Sequence, residues 1–131
     1  MENAPTIRLD QHSAVPALRQ IMDNLRVLLV EGELKPGTSL PSARRLAVEL
    51  GVHFNTVAEA YRQLGAEGWL DLKHGRAALV TKRTQFGHPD QARVESLKAQ
   101  LRSLVAQMRA EGLPAAEIAS ELRAQAEGVQ R

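Results

Sequence analysis

The stretch that decides the fold reads SARRLAVELGVHFNTVAEAYR and covers residues 42–62. It predicts two short helices around a turn at Gly51, because Ser42 is a favoured helix N-cap and a glycine interrupts the apolar spacing. The second helix is predicted to begin near Phe54, and Val52 and Val57 have the spacing of a hydrophobic staple if His53 is its N-cap. The apolar residues at helical spacing are Leu46, Ala47 and Leu50 in the first helix and Val57, Ala60, Tyr61 and Leu64 in the second. Two short helices joined in this way have the spacing of a helix-turn-helix.

An amphipathic helix is predicted upstream of this segment. Its pattern begins at Pro16, a residue type suited to the first turn of a helix, and stops at Gly32. Its apolar stripe comprises Leu18, Ile21, Met22, Leu25, Leu28 and Leu29. Residues 7–10 alternate in polarity and predict a short strand, and the sequence KPG at residues 35–37 is typical of a tight turn.

A β-hairpin is predicted downstream of the two short helices. Residues 69–73 alternate with period two, residues 74–76 form a turn, and residues 77–81 are a candidate for the second strand. The range 73–83 contains no acidic residue, and its basic side chains are Lys73, Arg76, Lys82 and Arg83, with His74 beside them. In a chain of net charge +2, a local basic stretch indicates contact with a polyanion, although a solvated loop gives the same pattern.

Two further helices are predicted after a hinge at residues 85–90. Val94, Leu97, Leu101, Leu104 and Met108 form a heptad seam of about two heptads. A second apolar stripe follows Gly112 and Pro114 and comprises Ala115, Ile118, Ala119, Leu122, Ala126 and Val129. Both stripes need burial, either against the rest of the same chain or against a second copy. The predicted organisation is therefore a domain at 1–84, a hinge at 85–90 and a helical tail at 91–131.

Composition excludes several classes of protein. The 131 residues include no cysteine, which removes disulfides, zinc–thiolate sites and thiol nucleophiles, and 44% of them are hydrophobic, as in ordinary globular domains. No apolar run approaches the roughly 20 residues that cross a bilayer, and residues 1–10 lack the apolar core of a signal peptide. We therefore expect a soluble cytoplasmic protein without a membrane partner.

The sequence also offers little support for catalysis. The 4 histidines are scattered without metal-type pairing, no glycine-rich phosphate loop precedes a helix, and no Ser/His/Asp arrangement stands out. We expect no enzyme activity, no catalytic residue, no metal site and no cofactor.

Several short blocks resemble the winged helix-turn-helix DNA-binding domain of the GntR family of bacterial transcription regulators. They are GELKPG at 32–37, LPS at 40–42, RLA at 45–47, LGV at 50–52 and AEG at 66–68. The sequence NTVAEAYRQL at 55–64 resembles the small YtrA-type subfamily, whose short helical tail agrees with residues 88–131. The resemblance, which covers residues 7–81, implies a mainly α fold with a small β-hairpin, in which a winged helix-turn-helix precedes a two-helix tail.

The resemblance also implies which residues contact DNA. They are Arg44, Arg45, His53, Phe54, Asn55, Thr56, Arg62, Lys73, His74, Gly75 and Arg76. Arg44 matches the family position that reaches a base or phosphate, and Asn55 and Thr56 lie in the first turn of the recognition helix, where they can read base edges. Residues 74–76 match the wing tip that approaches the minor groove. Lys82 and Arg83 would join Lys73 as phosphate contacts.

Several of these positions have a plainer alternative. Arg44 and Arg45 could be solvated surface arginines, and Asn55 and Thr56 could serve only to cap the helix. Arg45 stands where the family often has the glutamate of a capping box, and phosphate contact is the functional alternative there. Phe54 could pack on a thymine methyl group or fold back on the preceding helix.

The predicted function is a sequence-specific DNA-binding transcription regulator, more in keeping with a repressor than with an activator. It would bind an inverted-repeat operator in double-stranded DNA as a homodimer, with the recognition helix in the major groove and the wing at the minor groove. The residues predicted to form the dimer are Val94, Leu97, Leu101, Leu104, Met108, Ile118 and Leu122. A winged-helix adaptor that contacts other proteins is the alternative. An unidentified small-molecule effector is left open.

Overall fold

The computed structural model describes residues 7–73, 77–82 and 89–129. The chain divides into two compact units, Met1–Thr84 and Gln85–Arg131. The wing-tip residues His74, Gly75 and Arg76 lie outside the described residues, as do Arg83 and most of the predicted hinge.

The first unit contains three helices and a two-stranded antiparallel sheet. The helices are α1 (Ala17–Val30), α2 (Ala43–Leu50) and α3 (Phe54–Ala66), and the strands are β1 (Leu70–Asp71) and β2 (Leu79–Val80). Leu70 lies opposite Val80 and Asp71 opposite Leu79. The predicted combination of helices and a small hairpin is confirmed, although the strands are shorter than residues 69–73 and 77–81.

Local signals set the boundaries of the helix-turn-helix as predicted. The Ser42 hydroxyl accepts the Arg45 N–H at 3.1 Å, which caps the start of α2. Gly51 has a φ of 70°, and the N–H groups of Gly51 and Val52 donate to carbonyls in the last turn of α2. This arrangement is a Schellman motif, which needs a left-handed residue and therefore favours glycine. The chain then enters α3 directly.

One buried cluster holds the first unit together. It joins apolar residues of all three helices and both strands, and Ile21, Val57 and Leu64 are the largest fully buried side chains. The Tyr61 hydroxyl donates to the Pro41 carbonyl at 2.8 Å and so ties α3 to the segment that leads into α2. Arg26 of α1 pairs with Glu67 at the end of α3 at 2.8 Å. Truncating a buried leucine in such a core costs about 2–5 kcal/mol.

A third extended segment, which the sequence did not predict, joins the hairpin. The Val80 N–H donates to the Thr38 carbonyl at 2.8 Å, and the Leu40 N–H donates to the Ala78 carbonyl at 2.8 Å. Ser39 forms a bridge with Leu79 between these two hydrogen bonds. The segment between the turn at 35–37 and Pro41 is too short to show an alternating pattern, so only the fold reveals its role.

The predicted strand at residues 7–10 is wrong. These residues form no strand in the part of the chain that the structure describes. The Gln20 side chain takes the place of a partner strand, because its Oε1 accepts the Asp10 N–H at 2.8 Å and its Nε2 donates to the Asp10 carbonyl at 3.0 Å. Ile7 and Leu9 pack against the core from this position. Pro16 occupies the N-cap of α1 rather than its first helical position.

The second unit consists of α4 (Gln91–Ala110) and α5 (Ala115–Val129). Asp90 caps α4 by accepting the Arg93 N–H at 2.8 Å. The predicted seam lies open on α4, where Leu97, Leu101 and Leu104 are 44%, 50% and 55% exposed. Among the described residues of this unit only Ile118 is buried.

Across the helices that the structure describes, none combines the length and the apolar character needed to cross a membrane. The described residues also contain no group of three or more histidine, cysteine, aspartate or glutamate side chains placed to hold a metal ion.

Candidate nucleic-acid interface

The outer face of α3 is set by its buried face. Val57, Ala60, Tyr61 and Leu64 are all buried. The positions between them therefore point outward, and Asn55 and Arg62 are exposed, whereas Thr56 is half-buried. Because Asn55 and Arg62 are two helical turns apart, they lie on one side of the helix.

The starts of α2 and α3 form an electropositive surface. Neither helix has an acidic residue in its first turn. The free N–H groups at a helix start carry partial positive charge and attract anions. Arg44 and Arg45, both exposed, add full positive charges at the start of α2. This placement of cations at a helix start is unfavourable within the chain and becomes favourable when an anion binds.

Arg44 and Phe54 meet across the helix-turn-helix. The Arg44 Cζ atom lies 4.7 Å from the centre of the Phe54 ring, which is a cation–π contact. Phe54 is 37% exposed and is the first residue of α3. Sequence reasoning named both residues but treated them separately. No signal in the sequence joins them, because the contact depends on how the two helices cross.

His53 caps α3 through its ring. Its Nδ1 accepts the Asn55 N–H at 3.1 Å, and its carbonyl accepts the Thr56 N–H at 3.0 Å. A neutral imidazole that accepts at Nδ1 carries its proton on Nε2. The exposed His53 ring can therefore donate a hydrogen bond outward while it caps the helix. The structure therefore meets the condition under which Val52 and Val57 have the spacing of a hydrophobic staple.

The other two arginines of this surface are paired with carboxylates. Arg45 Nε lies 3.1 Å from Glu49, and Arg62 Nη2 lies 2.6 Å from Glu59. The hydrogen bond from Arg62, followed by that from Gln63, lowers the pKa of Glu59. Such exposed pairs stabilise a fold by little and are readily exchanged for other anions. Among the described residues, no carboxylate pairs with Arg44.

Glu59 was not among the predicted site residues. Its Oε1 accepts from Arg62 and its Oε2 accepts from Gln63 at 3.0 Å, so both oxygens are engaged on the outer face of α3. The spacing of three and four residues along one helix is a signal that could have revealed this cluster. Its charge opposes a phosphate partner.

The base of the wing packs closely against α3. A Cβ atom at Gly65 would lie 2.9 Å from Leu72 Cδ1 and 3.6 Å from the Leu70 carbonyl oxygen. In the sequence Gly65 reads only as a weak point in the helix, whereas here it allows the strand to approach. Lys73 and Lys82 are exposed near the ends of the described wing, and Lys73 Nζ lies 3.8 Å from Asp71.

The predicted dimer residues differ in how much of each side chain is exposed. The side chains of Leu97, Leu101, Leu104 and Leu122 are exposed, and those of Val94 and Met108 are half-buried. Ile118 is 4% exposed and so has little surface left to offer a partner.

Comparisons with known proteins agree with this geometry. A family model described as bacterial regulatory proteins, gntR family, matches residues 17–80. The chain is 31% identical over 99 residues to the HTH-type transcriptional repressor YtrA of Bacillus subtilis (strain 168), which covers 76% of this chain and 75% of that protein.

Two solved structures extend the similarity to nearly the whole chain. The structure of YtrA from Sulfolobus acidocaldarius, a GntR-family transcription factor, is 34% identical, has a TM-score of 0.57, and covers 95% of this chain and 100% of that one. A transcriptional antiterminator from Listeria monocytogenes EGD-e has a TM-score of 0.68 and covers 95% of this chain and 93% of that one. At 20% identity, this second likeness concerns the fold alone.

Proposed function

The chain belongs to the GntR family of bacterial regulatory proteins and is a YtrA-like DNA-binding transcription regulator, and from that premise we propose that it is a homodimeric repressor. In this proposal it binds an inverted-repeat operator, with α3 in the major groove and the wing at the minor groove. The observation that carries the proposal is the surface at the starts of α2 and α3. Exposed arginines and two helix starts without acidic residues converge there.

The proposed division of labour follows the chemistry of each side chain. Arg44 and Asn55 read base edges, since arginine pairs with guanine and asparagine with adenine in the major groove. Thr56 adds a hydroxyl for a phosphate or a methyl group for a thymine. His53 donates from Nε2 to a phosphate, a role that its cap to Asn55 leaves open. Phosphate contacts position the protein and supply affinity, whereas base contacts choose the sequence.

Arg45 and Arg62 are proposed to exchange partners on binding. Each is held by one exposed carboxylate within the chain. A DNA duplex presents many phosphates close together, about one negative charge per 1.7 Å of helix axis, and so attracts an arginine more strongly than an isolated carboxylate does. Lys73 and Lys82 add phosphate contacts at the wing, together with residues 74–76 at its tip. Each phosphate that is neutralised makes the negative slope of log K against log salt concentration steeper by about 0.9.

The exposed leucines of α4 support dimerisation. Leu97, Leu101 and Leu104 recur at alternate steps of three and four residues and leave apolar surface open to solvent. A second copy of the same stripe is self-complementary in a two-fold dimer and can bury it. Two recognition helices related by such an axis fit an operator that is itself an inverted repeat.

The remaining parts of the proposal follow from this mode of binding. Occupying a promoter requires no activating surface, so we propose repression as the outcome. The protein acts in the cytoplasm and has no enzyme activity. Any small-molecule effector would act by changing the spacing of the two recognition helices.

The proposal is tested with the full chain and a random pool of duplexes. Wild-type protein should enrich an inverted repeat, and its binding should weaken steeply as salt rises. Failure to enrich any duplex, with binding to other proteins instead, would support the adaptor alternative.

The dimer is tested by Leu101→Glu, with Ser103→Glu as a control on the same helix but outside the seam. Leu101→Glu should yield monomers in analytical ultracentrifugation and weaken operator binding by about 100-fold or more, because the two half-sites are no longer linked. Ser103→Glu should leave both properties unchanged. If Leu101→Glu remains a dimer, the seam is not the interface.

A further inference from the structure

We propose that Phe54 is a positioning residue for sequence readout, which holds the Arg44 guanidinium in place before DNA arrives. The inference rests on the proposed function and assigns within it a role to a side chain that cannot hydrogen-bond to DNA. The observation behind it is the contact of 4.7 Å between Arg44 Cζ and the centre of the Phe54 ring.

Burial does not explain why a phenylalanine stands at the start of α3. The side chain is 37% exposed, and it belongs neither to the buried cluster nor to the half-buried residues packed against it. Burying the covered part of the side chain contributes on the order of 1–2 kcal/mol, but any large apolar side chain would supply that, whereas only an aromatic ring makes a cation–π contact with a guanidinium. Its contact with Arg44 is thus the feature of its surroundings that accounts for it.

The surroundings of Arg44 separate it from the two neighbouring arginines. Arg45 and Arg62 point their donors at carboxylates, whereas Arg44 has no carboxylate partner among the described residues. A cation–π contact with an aromatic ring forms no hydrogen bond and therefore uses none of the guanidinium N–H donors. Those donors are the ones that pair bidentately with the O6 and N7 atoms of guanine.

The start of a helix does not by itself hold an arginine side chain in one conformation. Arg44 is the second residue of α2, and the partial positive charge of a helix start repels a cation there. An unrestrained arginine loses considerable rotamer freedom when it binds. The negative face of the Phe54 ring offsets both effects. In this proposal Phe54, the first residue of α3, selects the rotamer of the Arg44 side chain.

The test is a double-mutant cycle with the duplex that wild-type protein enriches from a random pool. Phe54→Leu should weaken binding to that duplex by about 2- to 30-fold, the range for a cation–π contact from an exposed to a desolvated setting. Phe54→Tyr, which keeps the ring, should restore wild-type binding. In an Arg44→Ala background, Phe54→Leu should cause no further loss. Val27→Ala, an exposed apolar change on α1, serves as the control that leaves binding unchanged.

Two results would overturn the inference while leaving the proposed function intact. One is an equal loss from Phe54→Leu with and without Arg44. The other is a loss that disappears when deoxyuridine replaces thymidine in the duplex, which would mean that the ring packs on a thymine methyl group. If wild-type protein enriches no duplex, the proposed function fails and this inference fails with it.

Proton resonances of the protein without DNA test the contact between Arg44 and Phe54 even if Phe54→Leu does not fold. In wild-type protein the Arg44 side-chain proton resonances should be shifted upfield by the ring, and Phe54→Tyr should retain that shift. Resonances at ordinary positions for an exposed arginine would contradict the proposed stacking.

Discussion

Removing the hydroxyl of Tyr61 tests how α3 is held in place. Tyr61 is 5% exposed and donates to the Pro41 carbonyl at 2.8 Å. Tyr61→Phe deletes this bond and leaves the carbonyl without that donor. Because Pro41 is only half-buried and water can reach it, we expect a loss of about 1 kcal/mol in the free energy of unfolding. For a domain of this size that corresponds to a fall of about 4–8 °C in Tm.

The same side chain makes the prediction depend on pH. Burial, with a further contribution from the Glu49 carboxylate, raises the pKa of Tyr61 well above its usual range. Unfolded tyrosine ionises near pH ~10, so the stabilisation is fully present below that pH and is lost as pH rises above it. Above that pH the unfolded chain releases one proton that the folded chain keeps, so the free energy of unfolding falls by about 1.4 kcal/mol per pH unit. Wild type and Tyr61→Phe should therefore become equally stable near pH ~11.

The assay is urea unfolding from pH 7 to 11, in which the fluorescence of the single tryptophan reports on unfolding. Since the chain has 1 tyrosine, phenolate absorbance reports on Tyr61 alone. Thr81→Val is a matched control, because it removes an exposed hydroxyl that donates to the Gly68 carbonyl at 2.6 Å. Its cost should not vary over this pH range. A constant difference between wild type and Tyr61→Phe up to pH 11 would refute the reasoning.

Two further predictions concern α3 and the wing. Gly65→Leu should lower stability by about 1–3 kcal/mol in thermal unfolding, because the new side chain displaces Leu72 from its close contact. Gly65→Ala should be nearly neutral, since its gain in helix propensity of about 1 kcal/mol offsets a small shift of the Leu72 tip. Equal losses of stability in both variants would contradict this account. Glu59→Gln should strengthen binding to non-operator DNA, because Arg62 no longer has to leave a carboxylate to contact a phosphate. Arg62→Gln should make the negative slope of log K against log salt concentration shallower by about 0.9. An unchanged slope for Arg62→Gln in fluorescence anisotropy would show that Arg62 does not reach the DNA backbone.

Much of the fold follows from signals that lie close together in the chain. The apolar spacing of α1 and α3, the Ser42 cap and the stop at Gly51 all appear where the pattern predicts them. A helix is built from hydrogen bonds four residues apart, so its beginning, end and buried face are recorded within one or two turns of sequence.

The errors arise where a segment is held by something distant. Residues 7–10 alternate like a strand, but an alternating pattern says nothing of whether a partner strand exists, and the Gln20 side chain binds them instead. Residues 38–40 lack any pattern and nevertheless pair with β2. Strand pairing depends on the partner, which local sequence does not specify.

The candidate site divides in the same way. The residue types at the starts of α2 and α3, their exposure and the Glu59–Arg62 spacing belong to single helices and can be read from the chain in order. The cation–π contact between Arg44 and Phe54 and the close approach of β1 and Leu72 to Gly65 exist only because separate elements pack together. The periodicity of apolar residues therefore decides which side chains face outward. Which of those side chains contact one another is decided by the packing of separate elements, because such contacts depend on angles and distances that no local pattern encodes.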